Sequence, residues 1–166
     1  MLEANNIHKA YGSLKVLQGI NIEIGDQEVV SIVGASGAGK STLLHILGTL
    51  DSPDQGEVRI KSELATSLPQ KRLAAFRNQH IGFIFQFHNL LPEFTALENV
   101  CIPGFIGRRK DAEVTARGEE LLSLLGLEGR LDHKPSQMSG GEQQRVSVAR
   151  ALINNPSIVF ADEPTG

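Results

Sequence analysis

Gly34, Gly39, Lys40 and Ser41 stand in the spacing G-x-x-x-x-G-K-S, with Ala35, Ser36, Gly37 and Ala38 inside it and Thr42 directly after. A loop of this composition suits a polyphosphate: the glycines let backbone N–H groups approach the oxygens, Lys40 reaches the outer phosphates and Ser41 reaches Mg²⁺. Ser139, Gly140, Gly141 and Glu142 form a second group. S-x-x-E is a capping box, and two glycines after the cap expose a helix N-terminus on which a phosphate can dock, with the Ser139 hydroxyl as donor. Asp162 and Glu163 end an apolar run and form the third group. There Asp162 would hold Mg²⁺ through its water shell, and Glu163 would polarise an attacking water. Taken singly these are a glycine turn, a helix cap and a turn acid. In this order on one chain they point to nucleotide chemistry.

The surrounding elements must aim those groups. Residues 29–33 (Val-Val-Ser-Ile-Val) read as a buried strand of a parallel sheet, and Leu43, Leu44, Ile46 and Leu47 then repeat at helical spacing. Strand, loop and helix in that order bring the positive end of a helix dipole to a phosphate. Residues 20–24 alternate as a half-exposed antiparallel strand, with a turn at Gly25 and Asp26, so the first stretch reads as a small β layer. Residues 51–56 are turn chemistry and 57–60 alternate again. A helical segment is expected over 70–77, a buried strand over 81–85, and helices over 96–106 and 112–125. The last is amphipathic through Leu121, Leu122, Leu124 and Leu125. After the helix that carries Val146, Val148, Ala149, Leu152 and Ile153, Asn154, Asn155 and Pro156 form a stop before the strand at 158–161. No repeat or linker separates domains; the pattern is one α/β unit with a helical insertion.

A length of 166 residues suits one domain with a real core. A net charge of −3 argues against a general nucleic-acid binder. Cys101 is the only cysteine, which excludes an internal disulfide and leaves a buried, inert thiol as its expected role. The N-terminus lacks the basic and apolar segments of a signal peptide, and no stretch approaches the roughly 18 apolar residues of a membrane span. If the chain serves a membrane, another subunit supplies the spanning part.

The three groups together resemble the ATP-binding cassette of membrane transporters, and the resemblance covers the whole chain. It implies an α/β fold: a P-loop NTPase (RecA-like) core, an N-terminal antiparallel β subdomain and a helical insertion over about 87–138, in one nucleotide-binding domain spanning 1–166. It makes Ser139, Gly140, Gly141 and Glu142 the family's signature segment, which contacts the γ-phosphate of ATP held by the opposite subunit of a head-to-tail dimer. Met138 and Glu142 stand where the family usually has Leu and Gln. Tyr11 falls where an aromatic stacks on adenine. Gln86 falls where a glutamine touches Mg²⁺ and the attacking water, beside Ser41 and Asp162 as metal ligands. Phe87, Leu90, Leu91 and Phe94 fall where a coupling helix of an integral-membrane subunit docks, although such residues also serve as the core of an insertion. The implied activity is Mg²⁺-dependent ATP hydrolysis with Glu163 and Gln86 as catalytic groups, at the cytoplasmic face of the inner membrane and without a nucleic-acid partner.

Within the family, the wording at 45–51, 85–100 and 142–146 is similar to ATPase subunits of bacterial lipoprotein-releasing (Lol-type) systems, with macrolide-export and cell-division types close by. A non-hydrolysing, ATP-dependent dimerising module is the alternative from another class. Cassettes of DNA repair carry a long coiled coil, and no heptad run of that length is present. The family continues past the acidic pair with an Asp-containing loop and a strand ending in a catalytic histidine, whereas His8, His45, His80, His88 and His133 all precede that pair. The resemblance therefore implies a truncated cassette with an incomplete sheet and an exposed strand edge, in which ATP binds and turnover is severely impaired.

Overall fold

Alternation near the N-terminus becomes a ladder. β1 (Leu2–Tyr11) pairs antiparallel with β2 (Leu14–Ile24) and with β3 (Gln55–Ile60), and β4 (Glu63–Leu64) extends β3, giving the order β2-β1-β3-β4. Leu2, Ala4 and Ile7 are fully buried along the central strand while Glu3 and Asn5 face solvent, the period-2 pattern of a sheet with one covered face. The register shifts between Ala4 and Ile7, where Asn6 takes a φ of 52°. The Asn21 side chain accepts the Asn6 N–H at 2.8 Å, replacing the ladder bond lost at this irregularity.

The computed structural model describes residues 1–162 and divides the chain into two units, Met1–Leu73 and Ala74 onwards. The first also holds α1 (Lys40–Leu47), which buries Leu43, Ile46 and Leu47 at 3.6-residue spacing. One expectation fails in this unit. Residues 29–33 form no strand, and among the described residues no strand pairs with them; Val29 is 95% and Val33 88% exposed. A β-branched run has a preference for a pleated, half-buried surface, and that preference is realised only where neighbouring strands supply the ladder.

α2 (Gln70–His80) leads directly into β5 (Ile81–Ile84), which runs parallel to β6 (Ile158–Ala161) with Ile84 opposite Ala161. Parallel neighbours require a crossover. Here it contains α3 (Ala96–Ile106), α4 (Asp111–Leu124) and α5 (Gly140–Leu152), whose buried residues include Val100, Val114, Leu121, Leu122 and Val146. α3 begins with a capping box between Thr95 and Glu98, a start signal present in the sequence as T-x-x-E. Leu124, expected on the apolar face of α4, is 79% exposed because it is the last helical residue; Leu127, beyond the turn, is fully buried instead. Cys101 packs in this core at 2% exposure, and burial pushes its thiol up to about 11, so it is inert as expected.

Candidate nucleotide-binding site

In the first unit the glycine loop leads directly into the start of α1. Gly37 and Gly39 have φ of 76° and 89°, left-handed values that a side chain would resist. At Gly39 an added Cβ would also lie 2.7 Å from Val16 Cγ1, so the turn into the helix admits glycine alone. No side chain caps α1. Its first N–H groups therefore fit an external anion, and nothing lies within 4 Å of a Cβ built on Gly37, which leaves room for one. Lys40 Nζ donates to the carbonyls of Gly34 (3.0 Å) and Ala35 (2.9 Å) and so folds back over its own loop. Those are the residues whose types suit ATP, and Ser41 and Thr42 follow in the first turn of the same helix. Tyr11 ends β1 and is 52% exposed.

In the second unit, Ser139 is the N-cap of α5 and both halves of the capping box are made. The Ser139 hydroxyl accepts the Glu142 N–H (3.3 Å), while the Ser139 N–H (2.7 Å) and hydroxyl (2.9 Å) both donate to Glu142 Oε2. Arg130, a residue with no role in the sequence reading, donates from Nε to Glu142 Oε1 at 2.8 Å. Glu142 therefore presents a balanced charge, which removes the repulsion a bare carboxylate would exert on phosphate. An added Cβ on Gly140 would meet nothing within 4 Å, so the helix start is open. Gln143 holds the preceding turn by donating to the carbonyls of Pro135 and Met138.

The Arg130 guanidinium, followed by the Ser139 N–H and hydroxyl, brings the Glu142 carboxyl down from 4.5 to about 2. A carboxyl depressed on folding contributes stability that is complete above its unfolded value and lost as pH falls through its folded one. The start of α5 should therefore hold above pH 4.5 and loosen progressively towards pH 2. Amide exchange in the first turn of α5 against pH checks this, and Glu142→Gln should remove the acid-side slope. A slope that survives the substitution would assign the loss to another group.

Parallel pairing of β5 and β6 brings two more expected groups to one sheet end. The Asp162 N–H donates to Ile84 O at 3.0 Å, and Gln86 stands two residues beyond Ile84 on the neighbouring strand's exit. Both thus lie past the carboxyl ends of adjacent parallel strands, where open α/β sheets hold ligands. Glu163 lies outside the described residues.

Phe87, Leu91 and Phe94 are exposed at 76%, 43% and 40%, while Leu90 packs against the helical core. The socket expected from these four thus divides into three outward residues and one anchor. Two residues that the sequence reading passed over hold this loop. Buried Asn99 accepts the Leu91 N–H and donates to the carbonyls of Leu91, Phe94 and Thr95, and Arg150 donates to the carbonyls of His88 and Asn89. The signal for Asn99 was an amide directly before the run 100–106, which carries no charged residue.

A family model described as ABC transporter matches residues 17–166. The lipoprotein-releasing system ATP-binding proteins LolD of Cytophaga hutchinsonii and Bacteroides fragilis are 63% and 58% identical over the whole chain, which covers 76% and 77% of their lengths. Among solved structures, the dimeric ATP-binding cassette MJ0796 bound to ADP and Pi superposes at a TM-score of 0.92 with 44% identity, over 99% of this chain and 75% of that one. With the family model spanning residues 17–166 and both relatives aligned along the whole chain, this chain belongs to the ABC transporter family.

Proposed function

We propose that the chain is the ATP-hydrolysing subunit of a bacterial lipoprotein-releasing transporter, working as one half of a head-to-tail dimer at the cytoplasmic face of the inner membrane. The observation that carries the reading is identity of 57–63% to four LolD proteins over all 166 residues of the chain. No helix among the described residues is long and apolar enough to cross a membrane, which fits a peripheral subunit.

In this reading the N–H groups of residues 34–42 bind the phosphates, and Lys40 leaves its two loop carbonyls for the outer phosphates. Tyr11 offers its ring to adenine. Ser41, Gln86 and Asp162 would hold Mg²⁺, which when bound neutralises charge on the β- and γ-phosphates. Gln86 orients the attacking water and Glu163 polarises it. The open start of α5, with Ser139, Gly140, Gly141 and Glu142, receives the γ-phosphate of the partner's ATP, so nucleotide closes the dimer and hydrolysis reopens it.

Phe87, Leu91 and Phe94 then form the seat of a coupling helix from the membrane subunit, with Leu90 as its floor. Co-expression of this chain with the membrane subunits of a lipoprotein-releasing system tests the assignment. A Phe87→Asp, Leu91→Asp variant should lose co-purification by roughly tenfold or more, because charges replace a buried apolar contact. Its thermal midpoint should stay close to the parent's, since both side chains are exposed. Undiminished co-purification would move the partner interface elsewhere.

A further inference from the structure

We propose that Asp51 and Lys9 are positioning residues that fix the Tyr11 ring, covering one face and leaving the other for a purine. The proposal rests on the reading of Tyr11 as the base-stacking group. Tyr11 is the last residue of β1, followed by Gly12 at a φ of 61°, and a half-exposed side chain at a strand end has little packing to hold it. Polar contacts do so instead. The Tyr11 hydroxyl donates to Asp51 Oδ2 at 2.9 Å, Lys9 Nζ donates to Asp51 Oδ1 at 2.9 Å, and the same ammonium donates to Ser52 O at 2.7 Å. The Ser52 N–H closes the cluster on Asp51 Oδ1, and Asp54 Oδ2 accepts the Ala10 N–H, so the loop after α1 is stitched to the end of β1.

Lys9 Nζ lies 5.3 Å from the centroid of the Tyr11 ring, within range of a cation–π contact, and its side chain is only 12% exposed. One ring face is thereby occupied by a largely buried cation. Because Asp51 is itself paired with Lys9, no bare carboxylate is offered to a polyphosphate. The Asp51 N–H donates to His45 O in the last turn of α1, whose N-terminal end is the phosphate loop. Eight residues of one rigid helix, about 12 Å at the usual rise, thus separate the group that grips phosphate from the group that orients the ring.

The chain has one tyrosine and no tryptophan, so its intrinsic fluorescence reports Tyr11 alone. In the ligand-free chain, Asp51→Ala should lower Tyr11 anisotropy and change its emission, since the hydroxyl loses its carboxylate acceptor. ATP affinity, read by calorimetry, should fall about three- to tenfold through the cost of ordering a freed ring. Affinity for inorganic tripolyphosphate, which has no base, should be unchanged, a selectivity that general loosening of the loop would not give. Tyr11→Phe should match the ATP loss, and the double variant should add little to either. Unchanged anisotropy, unchanged ATP affinity, or equal losses for ATP and tripolyphosphate would each overturn the proposal. ATP binding that leaves wild-type Tyr11 emission untouched would instead overturn the base-stacking reading beneath it.

Discussion

Asn99→Ala is expected to cost the second unit about 3 kcal/mol, a large loss for one side chain. Asn99 is fully buried, and its amide group serves four backbone groups: Oδ1 accepts the Leu91 N–H at 2.8 Å, while Nδ2 donates to Leu91 O and Phe94 O at 3.1 Å and to Thr95 O at 2.9 Å. Alanine would remove the side-chain partner of the Leu91 N–H and of the Leu91 and Phe94 carbonyls, while Thr95 O would keep the N–H of residue 99 at 3.0 Å, and an unpaired buried polar group costs more than a hydrogen bond gains. Asn99→Asp should fare no better, since it keeps the acceptor but turns a carboxylate towards three carbonyl oxygens. Urea unfolding followed by helical circular dichroism reads the loss, and amide exchange should quicken first at 91–95. Stability within a few tenths of a kcal/mol of the parent would contradict the role given to this residue. The functional consequence is carried by Phe87, Leu91 and Phe94, whose outward presentation depends on the loop that Asn99 and Arg150 hold.

Much of this was legible in the sequence, for identifiable reasons. Capping boxes are local, so the start of α5 followed from Ser139 and Glu142 alone, and α3 opens on a box of the same kind at Thr95 and Glu98. Helical and alternating periods marked α4 and β3, and apolar runs marked β5 and β6, to within a few residues. The glycine loop was also local: its positive φ values sit at glycines inside the motif. What escaped depended on distant parts of the chain. Residues 29–33 carry the composition of a core strand, yet their state depends on neighbouring strands that composition does not supply. β1 occupies the centre of its sheet through Leu2, Ala4 and Ile7, a placement set by pairing with residues up to 58 positions away. Arg130 against Glu142 and Lys9 against Asp51 join residues 12 and 42 positions apart, and no spacing rule connects them.

Lys40→Ala is expected to weaken ATP binding by about 100-fold or more while leaving the fold intact. Lys40 is the loop's cation, and among the described residues its Nζ donates to the Gly34 and Ala35 carbonyls, 3.0 and 2.9 Å away, which lie on the loop that would cradle the phosphates. A hydrogen bond to a charged group contributes about 1.5–3 kcal/mol, and each 1.4 kcal/mol is tenfold in affinity, so an ammonium that bridges two phosphates accounts for a loss of this size. Lys40→Arg should restore little, because the planar guanidinium does not substitute for a compact point charge inside a glycine turn.

The central claim, that residues 34–42 form the nucleotide's phosphate site, is tested most directly by calorimetric titration of Mg²⁺-ATP into the parent chain and Lys40→Ala. The expected result is a saturable isotherm for the parent, and for the variant a midpoint shifted beyond two decades or no measurable heat, with the two unfolding curves superimposable. Equal isotherms for the two chains, or no binding by the parent, would contradict the account.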